Sequence, residues 1–161
     1  FKLSDQIKKG DYLTDSENTY LVTWQPFKDI NSYKSQCQIC GCKLEFLRWT
    51  EAVLDNHGNQ ATPAQYISVV EDVDCFTSRT GMGIFGSSNN EIGIVPQGRI
   101  LVGLQYNSKT ALIKIGDEFE FHNSHFEVTD IDLSQLFDSE DTGILVIYAQ
   151  KRSGGDRNVT T

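Results

Sequence analysis

Apolar and polar positions alternate in short runs along most of the chain. Thr19 to Trp24, Lys43 to Trp49, Gln65 to Val70, Ile92 to Val95, Arg99 to Tyr106, Ala111 to Ile115, Glu118 to His122, His125 to Ile131 and Gly143 to Ala149 all read as strands. Gly, Asn, Asp and Ser turns separate them, the pattern of an antiparallel β domain. Phe119, Phe121, Phe126 and Val128 alternate about Asn123-Ser124, which predicts a hairpin. Helix signals are few. Ser4 and Asp5 can cap a short N-terminal helix that runs through Lys8 and ends at Gly10. Ser134 to Phe137 predicts one further helical turn.

Part of this pattern is repeated. Ile7-Lys8-Lys9-Gly10-Asp11-Tyr12-Leu13 echoes Ile113-Lys114-Ile115-Gly116-Asp117-Glu118-Phe119. Tyr20-Leu21-Val22-Thr23 then echoes Phe126-Glu127-Val128-Thr129 in the same register, without a gap. A Gly-Asp turn into a strand, a polar loop and a returning strand is how small barrels of SH3 type use their first hairpins. Any two Gly-Asp hairpins share some of this likeness, so the echo establishes two hairpins before it establishes a duplication.

Together these elements predict a mainly β chain: a small antiparallel SH3-like barrel with a long inserted hairpin or loop and a short N-terminal helical segment. Residues 1–152 read as one β domain, with a hairpin insertion around 33–49 and a flexible loop over 77–90. Residues 153–161, rich in Gly and polar residues, read as a flexible tail. A chain of 161 residues can bury a substantial core. The first nine residues lack the apolar stretch of a secretory signal. The sequon Asn158-Val159-Thr160 has no secretory context to support it.

Charge narrows the function. Lys and Arg number 14 against 22 Asp and Glu, a formal net charge of -8. That balance argues against a protein whose task is to grip a phosphate backbone. Between Asp117 and Asp141 there are nine acids and no Lys or Arg. Asp117, Glu118, Glu120, Glu127, Asp130 and Asp132 are therefore expected to form an acidic surface. It would be either a plainly solvated face or one that repels a polyanion or meets a basic partner. The acids lack the spacing and the sixth-position glycine of a calcium loop. No run of about 18 apolar residues is present to suggest a membrane helix.

The cysteines are the most suggestive chemistry. Cys37-Gln38-Ile39-Cys40-Gly41-Cys42 has the form of a zinc knuckle, but structural zinc needs four ligands and usually two such knuckles. Cys42, Cys75 and His57 are the other candidates, and none forms a second pair. Structural thiols are the simpler reading, a disulfide being disfavoured by the missing secretory signal, with no metal assigned to the zinc candidates Cys37, Cys40, Cys42 and Cys75. A zinc-knuckle binding module remains the alternative function. A redox Cys-x-x-Cys belongs at a helix start, whereas a strand follows here.

Gly81-Met82-Gly83-Ile84-Phe85-Gly86 matches a dinucleotide fingerprint, but no strand-loop-helix context surrounds it, so it reads as loop. His57, His122 and His125 sit in no metal-binding or nucleophile motif. No catalytic set emerges, and no enzyme activity is expected. The aromatic residues Tyr20, Trp24, Phe27, Tyr33, Phe46 and Trp49 crowd the first third and read as ordinary core packing. A stacking platform for single strands would need more interleaved Lys and Arg.

Tyr20 to Phe27, followed by Ile30 to Cys40, resembles proteins from the head-morphogenesis clusters of tailed phages that infect Gram-positive bacteria. Ile115 to Phe119, Phe126 to Asp132 and Ile144 to Ala149 are similar to the small-barrel pattern of their head-tail connector proteins. The resemblance implies a homo-oligomeric ring in the virion neck, assembled in the host cytoplasm. Portal or adaptor proteins would lie above it and tail proteins below, with DNA passing without sequence-specific binding and with no membrane. This chain is longer than the smallest members of that group. Its additions, the hairpin around Cys37 to Cys42 and the loop from Thr77 to Asn90, are the expected contacts, with Gly81, Met82, Ile84 and Phe85 as interface residues.

Overall fold

The computed structural model describes residues 6–30, 32–79, 98–137 and 142–152. Among the described residues fourteen strands follow in chain order. The N-terminal group is β1 (Tyr12–Thr14), β2 (Thr19–Val22), β3 (Phe27–Asp29), β4 (Ser32–Lys34) and β5 (Cys37–Ile39). Then come β6 (Cys42–Thr50), β7 (Val53–Leu54), β8 (Gln60–Thr62), β9 (Gln65–Arg79) and β10 (Arg99–Gln105). The last are β11 (Glu118–Phe121), β12 (Ser124–Asp132), β13 (Leu136–Phe137) and β14 (Thr142–Lys151). The expectation of a mainly β chain holds.

The main sheet runs β10-β9-β6-β11-β12-β14, and β10 also pairs with β14, so the pairing returns on itself through six strands. Closure of this kind removes the exposed edges that an open sheet would present. Leu44, Phe46, Val102, Leu104, Phe119, Phe126, Val128, Leu145 and Ile147 fill one core, with the Phe46 and Phe119 rings 5.1 Å apart. A second core lies on the other face of β10 and β14, where Leu21, Phe76, Leu101, Ile144 and Val146 pack together. Successive residues of a strand point to opposite faces. Ile144 and Val146 therefore enter one core and Leu145 and Ile147 the other, which is why this stretch is apolar without interruption.

The second core is covered by a three-stranded sheet, β1-β2-β5. The Tyr12 hydroxyl fastens it, donating to the Asp74 carbonyl and accepting from the Gln105 amide at 3.1 Å. Burial raises the pKa of that phenol well above its ordinary value, so it stays protonated and able to donate.

The sequence echo is a structural duplication, bond for bond. The Gly10 amide donates to the Val22 carbonyl at 2.8 Å, and Gly116 donates to Val128 at 2.9 Å. Val22 returns to Asp11 at 2.9 Å and Val128 to Asp117 at 2.8 Å. The Lys8 and Lys114 amides each donate to the aspartate three residues on, both at 2.8 Å. Tyr12 faces Leu21 as Glu118 faces Glu127.

Several expected elements differ. Residues 6–10 form turn and irregular backbone with no helix, while Ser4 and Asp5 lie outside the described residues. The Asp11 carboxylate captures the Lys8 amide, and this local bond outcompetes a single helical turn. Ser134 begins a turn into β13 rather than a helical turn. Ala111 to Ile115 is no strand. Asn107 accepts from the Lys109 and Thr110 amides and nucleates a 3-10 turn over Thr110–Leu112. The β11–β12 hairpin turns at His122-Asn123, one residue earlier than expected, with both residues at positive φ (48° and 56°). The tail 153–161 and the Ile92 to Val95 run lie outside the described residues.

Candidate interaction surface

β6 and β9 form the longest hairpin. Their pairing runs from Cys42 opposite Cys75 out to Thr50 opposite Gln65, and β7 and β8 continue it with Val53 opposite Thr62. The inner half belongs to the six-strand circuit. Register shifts near Leu44 to Leu47, opposite Val73 to Ser68, bend the ribbon where it leaves the body. Residues 58–63 are all exposed, as are Val53, Leu54 and Ile67 at 57 %, 61 % and 46 %. With a rise of ~3.3 Å per residue, the tip stands roughly 20 Å beyond Arg48.

The tip is ordered by one carboxylate. Asp55 Oδ1 accepts from the His57 and Asn59 amides, both at 2.8 Å, and Gly58 donates to the Asp55 carbonyl at 3.0 Å. These bonds hold the Asp55 carboxyl below the usual aspartate value, Asn59 contributing most.

Two consecutive buried acids grip the root of this arm from opposite faces. Asp117, 1 % exposed, accepts from Arg48 Nε at 2.7 Å and Nη2 at 2.9 Å. Arg48 also donates to the Leu112 carbonyl at 2.8 Å. Its guanidinium is held charged, its pKa raised first by the bond to Asp117. Glu118, 3 % exposed, accepts from the Tyr66 hydroxyl at 2.9 Å and from Arg152 Nη1 at 3.1 Å. Tyr66 in turn meets Trp49 edge to face, 4.9 Å between centroids. Neighbouring strand positions point to opposite faces, so the dipeptide Asp117-Glu118 reaches both sides of the hairpin.

This corrects the expected acidic surface. Asp117 and Glu118 are internal braces, while Glu120 and Asp130 are exposed and Glu127 and Asp132 half-buried. It also relocates the inserted hairpin. Cys37 and Cys42 do not flank a hairpin, since β5 pairs with β2 and β6 with β9, so Cys40-Gly41 is a crossover between two sheets. The strands at the arm's root, Lys43 to Trp49 and Gln65 to Val70, were expected, but its outer part over residues 51–63 was not. Its period-two apolar positions are too few to register as strand.

A second, shorter arm is formed by β3 and β4, carrying Phe27 at 57 % and Ile30 at 90 % exposure. Of the six early aromatics, Phe46 alone is fully buried, and Trp24 is 55 % exposed. The expectation of ordinary core packing therefore fails for Trp24 and Phe27, which stand on or beside this arm.

The expected flexible loop begins later than Thr77, because Thr77 to Arg79 continue β9. Gly81, Met82, Ile84 and Phe85 lie outside the described residues. Cys37 is exposed on β5 and Cys40 is half-buried, while Cys42 and Cys75 approach to 3.4 Å between sulfurs. Among the described residues no group of three or more His, Cys, Asp or Glu is arranged to hold a metal ion. His57 sits at the arm tip, His122 in the hairpin turn and His125 on β12.

Comparison with known proteins gives a family match. The family described as the YomX C-terminal domain, which is phage-associated, matches residues 27–150. No curated protein and no solved structure matches.

Proposed function

The chain belongs to the YomX C-terminal domain family, and from that premise we propose that it is a non-enzymatic structural protein of a phage virion. In this reading the six-strand circuit is an SH3-like barrel, and copies of the chain form a ring in the head-tail connector. The ring joins portal or adaptor proteins to tail proteins around the DNA channel.

The arm over residues 48–67 is the observation that carries this reading. Two-stranded ribbons are marginally stable alone in water. This one is nevertheless rigidly rooted by two buried acids and presents Val53 and Leu54 to solvent. A closed circuit offers no edge for adding strands, so contacts between copies fall to projecting arms. The exposed Glu120 and Asp130 suit a channel that must not hold DNA as it slides past.

The test is a pair of arm-tip variants, Val53→Asp and Leu54→Asp, made in a phage that carries this chain. Purified protein should stay folded by circular dichroism, while electron microscopy should show heads and tails left unjoined. Normal tailed particles from both variants, or mass spectrometry finding no copy of the chain in purified virions, would overturn the proposal.

A further inference from the structure

We propose that Cys42 and Cys75 are the paired thiols of a disulfide that closes at the root of the arm once the protein leaves a reducing cytoplasm. The two residues stand directly opposite each other on antiparallel strands, with their sulfurs 3.4 Å apart. Each thiol also lies 3.5 Å from the other residue's carbonyl oxygen. Directly opposed strand positions bring Cα atoms to about 4.5–5.5 Å, within the range that a disulfide spans. Rotation of the two side chains suffices to bring the sulfurs to bonding distance, and the backbone need not move.

The pair has an attacking and a resolving member. Cys75 is fully buried, whereas Cys42 is half-buried. The hydrogen bond between the two sulfurs holds the Cys42 thiol below its ordinary pKa, favouring its thiolate, and Cys42 is the more exposed of the pair. With a low-molecular-weight disulfide as oxidant, the Cys42 thiolate attacks one sulfur and expels the other as a thiolate. Cys75 then loses its proton to solvent, attacks the Cys42 sulfur and releases the second small thiol. Two cysteine thiols lose two electrons, and one small disulfide becomes two thiols. Cys40, the residue before the crossover glycine, is the one competing thiol near this pair.

Such a bond would tie β6 to β9 on the body side of the arm, covalently reinforcing the strand pair that carries it. Thiols in a bacterial cytoplasm stay reduced, and released particles meet an oxidising medium. The timing therefore rests on the phage reading above, whereas the chemistry of the pair does not.

The experiment incubates folded protein with mixtures of oxidised and reduced glutathione, traps free thiols with iodoacetamide and maps peptides by mass spectrometry. A Cys42–Cys75 crosslink should dominate, survive in Cys40→Ser and disappear in Cys42→Ser. Oxidation should also raise the midpoint of thermal unfolding by about 5 °C or more in wild type but not in Cys42→Ser. Glutathione held on Cys37 or Cys40 without a Cys42–Cys75 crosslink would overturn the proposal, as would a crosslink that forms only in urea. These outcomes are independent of whether the chain forms a ring.

Discussion

Arg48 and Asp117, sixty-nine residues apart in sequence, meet in a two-pronged ion pair with contacts of 2.7 and 2.9 Å. A fork of this kind fixes orientation as well as distance. It holds the hairpin that leaves the six-strand circuit to the Gly-Asp turn of the duplicated module. Because Glu118 takes the other face, the arm is braced against bending in either direction.

Removing the acid should cost more than removing most surface charges. Asp117→Ala strips Arg48 and the Lys114 amide of their acceptor. Breaking a fully buried pair costs roughly 3–5 kcal/mol, but the Arg48 side chain is 35 % exposed, so about 2–3 kcal/mol is expected. Asp117→Asn, which keeps an acceptor for Lys114, should lose about half as much. Urea unfolding with an unchanged slope measures both. Equal losses would show that charge, not the amide contact, dominates.

The two braces show why charge along a sequence is a poor guide to surface. Asp117 and Glu118 open a stretch of nine acids without a cation, and their partners Arg48, Tyr66 and Arg152 lie far off in sequence. The strands over 99–105, 118–121 and 142–151 were legible because they fill the cores, and the echo around Gly10 and Gly116 was legible because turns are local. The outer part of the arm was not. Between Glu51 and Pro63 few side chains meet the core, so apolar periodicity has nothing to record. The body-side half of β9 was hidden for a related reason: Glu71, Asp72 and Asp74 interrupt its pattern at a bulge where Asp72 takes a positive φ of 51°.

The duplicated glycines separate two costs that usually come together. Gly10 and Gly116 share positive φ values of 94° and 90°. A Cβ at Gly116 would meet nothing within 4 Å, whereas at Gly10 it would lie 2.2 Å from the Gly143 carbonyl oxygen. Gly116→Ala should therefore cost only the left-handed strain, about 1–2 kcal/mol. Gly10→Ala should cost at least twice that, since backbone must move. Thermal unfolding of both variants checks the ratio, and similar losses would mean that the Gly143 contact relaxes freely.

Gly103 is required for space alone. It sits opposite Phe76, and an added Cβ would come within 2.2 Å of the ring. Gly103→Ala should destabilise by about 2–3 kcal/mol through overpacking of the second core. Phe76→Leu leaves a void of its own, so each change alone is harmful. Combined, they should lose clearly less than the sum, and a double-mutant cycle that proves additive would refute this account.

Acid should loosen the arm tip before it unfolds the body. The Asp55 carboxylate accepts two amide hydrogen bonds, so its folded pKa lies below the usual 3.8. A carboxyl whose folded pKa is depressed contributes its stabilisation above the unfolded value and loses it as pH falls through the folded one. The tip should therefore be ordered above about pH 4 and lose order progressively below it. The group is fully exposed, so the effect is local and the six-strand circuit need not respond. Amide chemical shifts of His57 and Asn59, followed by NMR from pH 6 down to pH 2.5, should titrate together with a midpoint below 3.8. In Asp55→Asn, whose amide oxygen can still accept but cannot be protonated in this range, that titration should vanish while the turn persists. A midpoint at or above 3.8 in the wild type would show that the carboxylate does not organise the turn in solution.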